Sequence, residues 1–229
     1  MDSASWRAYF ERNRLDRPEP DWSAPALHQA EAARQLARSL SHFQLGESGE
    51  GRCLLAEAQR RYPGDADYGT ALALFVREEQ EHARLLVQLV QRFGGTIIRR
   101  HWTHSAFRLM RRALGVHFEI QTLVIAELIG TAYYRLLHAH SPDPALRQAC
   151  ELMLQDEAQH LAFHRDRFSA DHVSWLPAER SLWAGQLQLF LLGAAEAAWA
   201  DHRRALLALG ATRREFVAEI RAECIAFLT

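Results

Sequence analysis

The sequence predicts an all-α fold. Apolar residues recur in steps of three and four along most of the chain, strand-type alternation is nearly absent, and the breaks fall at helix-stop signals such as Pro63-Gly64, Gly94-Gly95 and Ser141-Pro142-Asp143-Pro144. Residues 1–22, with Pro18, Pro20, Trp6 and Trp22, read as an irregular arm packed over the body. Ser23 is a plausible N-cap with Pro25 in the first turn. One helical period then runs through Leu36, Leu40, Phe43, Glu47, Glu50 and Leu54, ending before Pro63. A second helix spans about 68–93, with Leu72, Phe75, Glu79, His82, Leu86, Leu89 and Phe93 on its inner stripe. Residues 94–104 connect it to a third helix, about 105–140, with a bend near Gly115 and a stripe through Leu123, Glu127, Thr131 and Tyr134. A fourth helix, about 145–168, places Leu146, Cys150, Met153, Glu157, His160 and His164 inward. A fifth spans about 178–209 and a sixth about 212–227. The domain reading is therefore an arm (1–22), a bundle (23–168) and C-terminal helices packed on it (169–229).

Composition narrows the function classes. With 229 residues, 48% hydrophobic and 24% charged, the chain can build one sizeable core. Its 27 basic and 28 acidic residues nearly cancel, which argues against a nucleic-acid-coating protein. Every basic residue is Arg and Asn13 is the only Asn, a bias that fits a GC-rich genome. Cys53, Cys150 and Cys224 are scattered and form no CxxC, so a disulfide framework or thiolate zinc site is not indicated and a reducing cytoplasm fits. The N-terminus lacks a signal peptide's basic flank and apolar core. The most apolar stretches, 120–137 and 182–200, are interrupted by Gln and Glu, so no transmembrane span is expected.

The anomaly is acid and imidazole on stripes that should be buried. Glu79-Gln80-Glu81-His82 and Glu157-Ala158-Gln159-His160 are both Glu-x-x-His. On a helix, positions i and i+3 share a face, so carboxylate and imidazole can reach one metal ion. A single such motif arises about once by chance in a chain this rich in Glu and His. The specificity lies in repetition. Glu47 precedes the first motif and Glu127 the second at nearly equal spacing, so each of two helix hairpins supplies one lone Glu and one Glu-x-x-His. Glu47, Glu79, His82, Glu127, Glu157 and His160 form the ligand set of a dinuclear carboxylate site, iron or manganese. Two buried salt-bridge networks are the plain alternative, weakened by the scarcity of paired cations on these stripes.

With those six residues, the chain resembles the ferritin-like superfamily, which includes bacterioferritin, rubrerythrin, the ribonucleotide reductase small subunit and bacterial di-iron oxygenases. The resemblance covers about residues 30–168. Gly46-Glu47-Ser48-Gly49 and Val124-Ile125-Ala126-Glu127 look like the first- and third-helix segments of the demethoxyubiquinone hydroxylase family, and this match selects Glu47 over Glu50 as a ligand. The resemblance implies a ferritin-like four-helix bundle with additional C-terminal helices and two iron ions, with manganese or a mixed pair as alternatives. It implies a non-haem oxidoreductase that uses O2 to oxidise or hydroxylate a small organic substrate, with electrons from a separate donor. The extra helices and arm favour this over storage because they enclose a pocket and hinder cage assembly. The alternatives are a ferroxidase, peroxide-scavenging or iron-storage protein, and a metal-bound interaction protein without turnover.

Several neighbours are secondary candidates. In several di-iron families an Asp at the position of Asp156 hydrogen-bonds a ligating His; the alternative is a solvated helix acid. Glu50 and Glu119 are spare acids, either a further ligand or surface groups. His164 is an extra ligand, a proton carrier or a hydrogen-bonded core His. Thr131 is a catalytic hydroxyl candidate beside the metals, or a Thr bonding its own helix carbonyl. Tyr133 and Tyr134 are redox-active phenols or packing residues. Gly46, Gly49 and Gly51 suggest close approach, a distorted turn or room for substrate. The basic run of Arg99, Arg100, His101, His104, Arg108, Arg111 and Arg112 reads as a solvated connection before an anion site. The apolar helix at 182–200 covers the bundle, forms a homodimer interface or lines a pocket.

Overall fold

The computed structural model describes residues 1–15, 17–100 and 116–229. All regular structure among them is helical: α1 (Ser3–Asn13), α2 (Ala30–Glu47), α3 (Arg52–Arg61), α4 (Ala66–Arg92), α5 (Val116–His140), α6 (Pro144–Asp171), α7 (Pro177–Ala208) and α8 (Arg213–Leu228). The expected bend near Gly115 lies outside the described residues.

The helix ends follow from local capping. The carboxylates of Asp65 and Asp143 accept from the backbone N–H groups of Tyr68 and Leu146, at 2.9 and 3.0 Å, and start α4 and α6. Thr212 and Glu215 cap α8 reciprocally: Thr212 N–H donates to Glu215 (2.7 Å) and Glu215 N–H to the Thr212 hydroxyl (3.2 Å).

Three expectations need correction. The arm is not wholly irregular: Asp2 caps α1 by accepting from Ser5 N–H, and Trp6 and Phe10, one turn apart, are buried. A helix this short is stable because its apolar face docks, here along α4 and against Phe163 of α6. Second, α2 begins at Ala30 rather than after Ser23, because the Ser23 hydroxyl and N–H bond Asp21 in a local turn. Third, the single helix expected over 23–62 breaks after Glu47. Gly51 adopts φ +62°, left-handed backbone that favours glycine, and a Cβ there would lie 2.6 Å from Val76 Cγ2. Helix α3 then packs back on α4.

Helix α2 packs along α4, α5 along α6, and α4 against α6; α7 lies on α2 and α5, and α8 on α5, α6 and α7. At the end of α4, a Cβ on Gly95 would meet Ala37 Cβ at 2.5 Å, so glycine permits the close approach of α2. Two apolar clusters result. One joins α2, α4, α5, α6, α7 and α8; the other joins α1, α3 and α4 around Phe163. Between them, α4 runs from Phe75 to Leu85 through Glu79 and His82, and α6 from Met153 to Phe163 through Glu157 and His160. No described helix is long and apolar enough to cross a membrane.

The left-handed turn is testable. Gly51→Ala is expected to lower unfolding free energy by about 1–2 kcal/mol in urea denaturation. Gly64→Ala, with no atom within 4 Å of its added Cβ, should stay within about 0.5 kcal/mol of the parent.

Candidate metal centre

The six predicted ligands converge from four helices. Glu47 is the last residue of α2, Glu79 and His82 lie one turn apart on α4, Glu127 is on α5, and Glu157 and His160 lie one turn apart on α6. Two overlapping groups each offer ligand atoms within 4.8 Å of one another: Glu79, Glu127, Glu157 and His160; and Glu47, Glu79 and His82. Glu79 belongs to both. Both imidazoles turn Nδ1 inward. His160 Nδ1 lies 2.9 Å from Glu79 Oε1, 3.5 Å from Glu127 Oε2 and 3.7 Å from Glu157 Oε2. His82 Nδ1 lies 3.6 Å from Glu157 Oε1 and 3.9 Å from Glu79 Oε1.

The outer nitrogens are held in a crossed pattern. His82 Nε2 on α4 bonds Asp156 of α6 at 2.9 Å, and His160 Nε2 on α6 bonds Glu78 of α4 at 3.0 Å. An acid that accepts from Nε2–H leaves a bare lone pair on Nδ1, aimed at the centre. Asp156 therefore sits where the sequence placed it. Glu78 was missed, although it precedes Glu79 as Asp156 precedes Glu157. The N-terminal arm closes this layer: Asn13 donates to Glu78 (2.7 Å) and Asp156 (2.8 Å), and Arg17 pairs with Asp156 and lies 3.6 Å from Glu78. No periodic signal marked Asn13 or Arg17.

Glu79 Oε1, Glu157 Oε2 and both inward Nδ1 atoms are buried without a hydrogen-bond partner. Buried polar atoms left unpaired are costly, and here they point at each other. A hard or borderline cation satisfies this donor set of oxygens and imidazole nitrogens, so the residues fit a metal. The electrostatics agree. Burial and then neighbouring Glu79 push the Glu47 carboxyl well above its usual range, and burial and Glu127 do the same to Glu157. Burial opposes charge on Glu127 and on His160. Contacts with Glu157 and His160 nevertheless hold Glu127 down at about 2, and the surrounding carboxylates raise His160 well above the ordinary imidazole range. Without metal, protons do the neutralising.

The secondary candidates separate. Tyr134 faces the cluster and donates to Glu47 at 3.0 Å. Gly130 also faces it: a Cβ there would lie 3.8 Å from Glu157 Oε1. Thr131 is buried beside them, and its hydroxyl has no hydrogen-bond partner, so it does not bond its own helix carbonyl. His164 joins neither ligand group. It packs edge-on against Phe75, its Nε2 is unpaired, and burial lowers it to about 4, so it is neutral. Glu50 is exposed and pairs with Arg52 at 2.5 Å, away from the cluster, because it falls in the break after α2. Tyr133 turns away, bonding Ser39 at 2.6 Å and stacking on Phe43. Arg99 and Arg100 are exposed. The rest of the basic run and Glu119 lie outside the described residues.

A cavity of about 250 Å³ reaches the cluster. Glu47, Glu79, Glu127 and Glu157 form its acidic end; Phe43, Leu123 and Ile129 and the small residues Ala194, Ala197 and Ala198 of α7 give it apolar walls. So α7 both covers the body and lines a pocket.

Two outcomes follow. Asn13→Ala removes charge-assisted hydrogen bonds to two carboxylates and is expected to cost about 2 kcal/mol in urea denaturation. The raised carboxyls and His160 mean that the folded metal-free chain binds protons the unfolded chain releases. Their stability contribution falls as pH rises above the ordinary values of 4.5 and 6.5. The depressed Glu127 and Asp156 act oppositely, stabilising above their ordinary values and losing that effect in acid, and the lowered His164 and His28 also favour the higher pH but are outnumbered by the three raised groups. Thermal melts in chelator should therefore give a higher Tm near about pH 5.5 than near about pH 8; the reverse order would contradict the proton count. Comparison with known proteins finds no matching family model, no matching curated protein and no matching solved structure, so the functional reading rests on this geometry.

Proposed function

We propose that the chain is a ferritin-like four-helix metalloprotein, built on α2, α4, α5 and α6, whose cluster holds two iron ions and uses O2 to oxidise or hydroxylate a small organic substrate. The observation that carries this is the convergence of buried, unpaired carboxylate oxygens and Nδ1 atoms beside a largely apolar cavity that the four glutamates line. Glu47, Glu79 and His82 would hold one ion, and Glu127, Glu157 and His160 the other, with Glu79 placed to contact both. Such a pair supplies electrons and open coordination positions to O2. Manganese, or one of each metal, suits the same donors.

The chain's own groups do the rest. Asp156 and Glu78 fix the histidine tautomers, Asn13 and Arg17 fix those acids, and Tyr134 orients Glu47. Phe43, Leu123 and Ile129 give an apolar substrate a dry wall. In a hydroxylation one oxygen atom enters the substrate and the other leaves as water, so each turnover consumes two electrons and two protons. A separate donor supplies the electrons. Free Cys53, Cys150 and Cys224 fit the reducing cytoplasm that keeps iron ferrous. The apolar wall favours an organic substrate over iron storage or peroxide removal, which need only the acidic end.

Elemental analysis after anaerobic Fe(II) loading should give about two ions per chain. Glu47→Ala should retain about one, held by the group that lacks Glu47, whereas Glu79→Ala should lose both. On exposure to air, Fe(II) oxidation should stop at about two equivalents. Oxidation that continues through a large excess of iron would favour storage, and full metal content in Glu79→Ala would remove the ligand assignment.

A further inference from the structure

The cavity above the glutamates adjoins a second cavity of about 290 Å³, with which it shares the lining residues His42 and Asp201. The two differ in chemistry. The first is mostly apolar beyond its carboxylates. The second is lined by Gln35, Arg38 and Ser39 of α2 and by Arg203 and Arg204 of α7, among other residues. Three arginines and one acid, Asp201, are among its lining residues, and Glu31 lies near enough to Arg204 to interact with its charge. Arg38, Arg203 and Arg204 are exposed, and none forms an ion pair among the described residues. Both cavities run along the seam where α7 packs on α2, since Gln35, Arg38, Ser39, His42 and Gly46 share one face of α2, and Ala194, Ala197, Ala198, Asp201, Arg204 and Ala205 one face of α7.

We infer that the substrate of this centre is an amphipathic anion. Its apolar chain fills the inner cavity and its carboxylate is held by Arg38, Arg203 and Arg204 at the outer one. The inference rests on the metal-centre reading and adds the substrate class. Guanidinium is the side-chain group best matched to a carboxylate, because its planar fork donates in parallel pairs. Geometry sets the length. Arg38 precedes Glu47 by nine residues on α2, about 14 Å at helical rise. A cavity of about 150 Å³ takes benzene, so 250 Å³ takes a body of roughly ten carbons. An extended medium-chain acid therefore spans from the arginines to the glutamates, placing its far end nearest the metals. The inner cavity has no guanidinium in its lining, so the acid group stays at the arginine end and the chain enters in one orientation.

Decanoate and decanol are the probes, titrated calorimetrically into the full-length protein. Wild type should bind decanoate at least tenfold more tightly than decanol, with the preference shrinking at high salt. The triple variant Arg38→Gln, Arg203→Gln, Arg204→Gln should keep its helical circular dichroism and metal content while binding decanoate no better than decanol. Ala197→Phe, which fills the inner cavity, should weaken both ligands. Equal affinities in wild type, an undiminished preference in the triple variant, or undiminished decanoate binding in Ala197→Phe would each overturn the inference. Metal content measured on the same samples separates the two readings. Two ions without anion preference would fail this inference alone, and anion preference without bound metal would fail the metal reading alone.

Discussion

Four carboxylates and two imidazoles packed into one layer of an apolar helical core are the constraint on which this structure turns. Ionised carboxylates a few ångströms apart cannot share a dry interior without compensation. The chain compensates by distributing the groups over α2, α4, α5 and α6, so that no helix carries the whole charge, and by aiming them at common points. The apolar clusters on either side then pack without having to bury any of that charge themselves. Buried ion arrangements like this contribute little net stability, because desolvation offsets attraction. On the proposed reading they occupy a core that apolar residues could fill because they hold metal.

Around that layer, the crossed bonds make the two motifs interdependent. Asp156 of α6 orients His82 of α4, and Glu78 of α4 orients His160 of α6, so α4 and α6 cannot slide without misaligning both imidazoles. Both acids are buried and would suffer from each other's charge, and Asn13 and Arg17 meet that need from outside. This explains why the N-terminal segment is ordered as α1: Trp6 and Phe10 anchor it in the lower apolar cluster, and its C-terminal end delivers Asn13. The arm belongs to the site.

Much of this was legible in the sequence. Steps of three and four, broken at stop signals such as Pro63-Gly64, Gly94-Gly95 and Ser141-Pro142-Asp143-Pro144, locate α4, α6 and α8 to within two or three residues. The six clustered residues were legible because the Glu and Glu-x-x-His pattern occurs twice. Glu78 was readable by the same symmetry, had the residue before Glu79 been compared with the one before Glu157. Other features were not readable. The break after Glu47 depends on left-handed backbone at Gly51, and a glycine inside a helical pattern does not announce its φ. Helix α1 owes its stability to docking, and Asn13 and Arg17 act across more than sixty residues of sequence. On α5 the sequence stripe steps four residues from Glu127 to Thr131; that Gly130 and Tyr134 also meet the cluster from the same helix was not readable from that step.

The cavity has the same origin as the break in the first helix. Because α2 stops at Glu47, that carboxylate stands at a helix end, half-buried at the cavity wall, and not in the middle of a packed stripe. Helix α7 could have sealed the opening with large side chains, yet it presents Ala194, Ala197 and Ala198 there and reserves Leu187, Leu191 and Leu206 for the core. Small residues facing the glutamates and large ones facing the core are a division of labour along one helix. A helix selected only to cover the body would bury apolar bulk at both places, since unfilled volume beside a core forfeits contacts. The alanines leave room beside the carboxylates, and on the proposed reading that room is where the substrate's apolar chain lies.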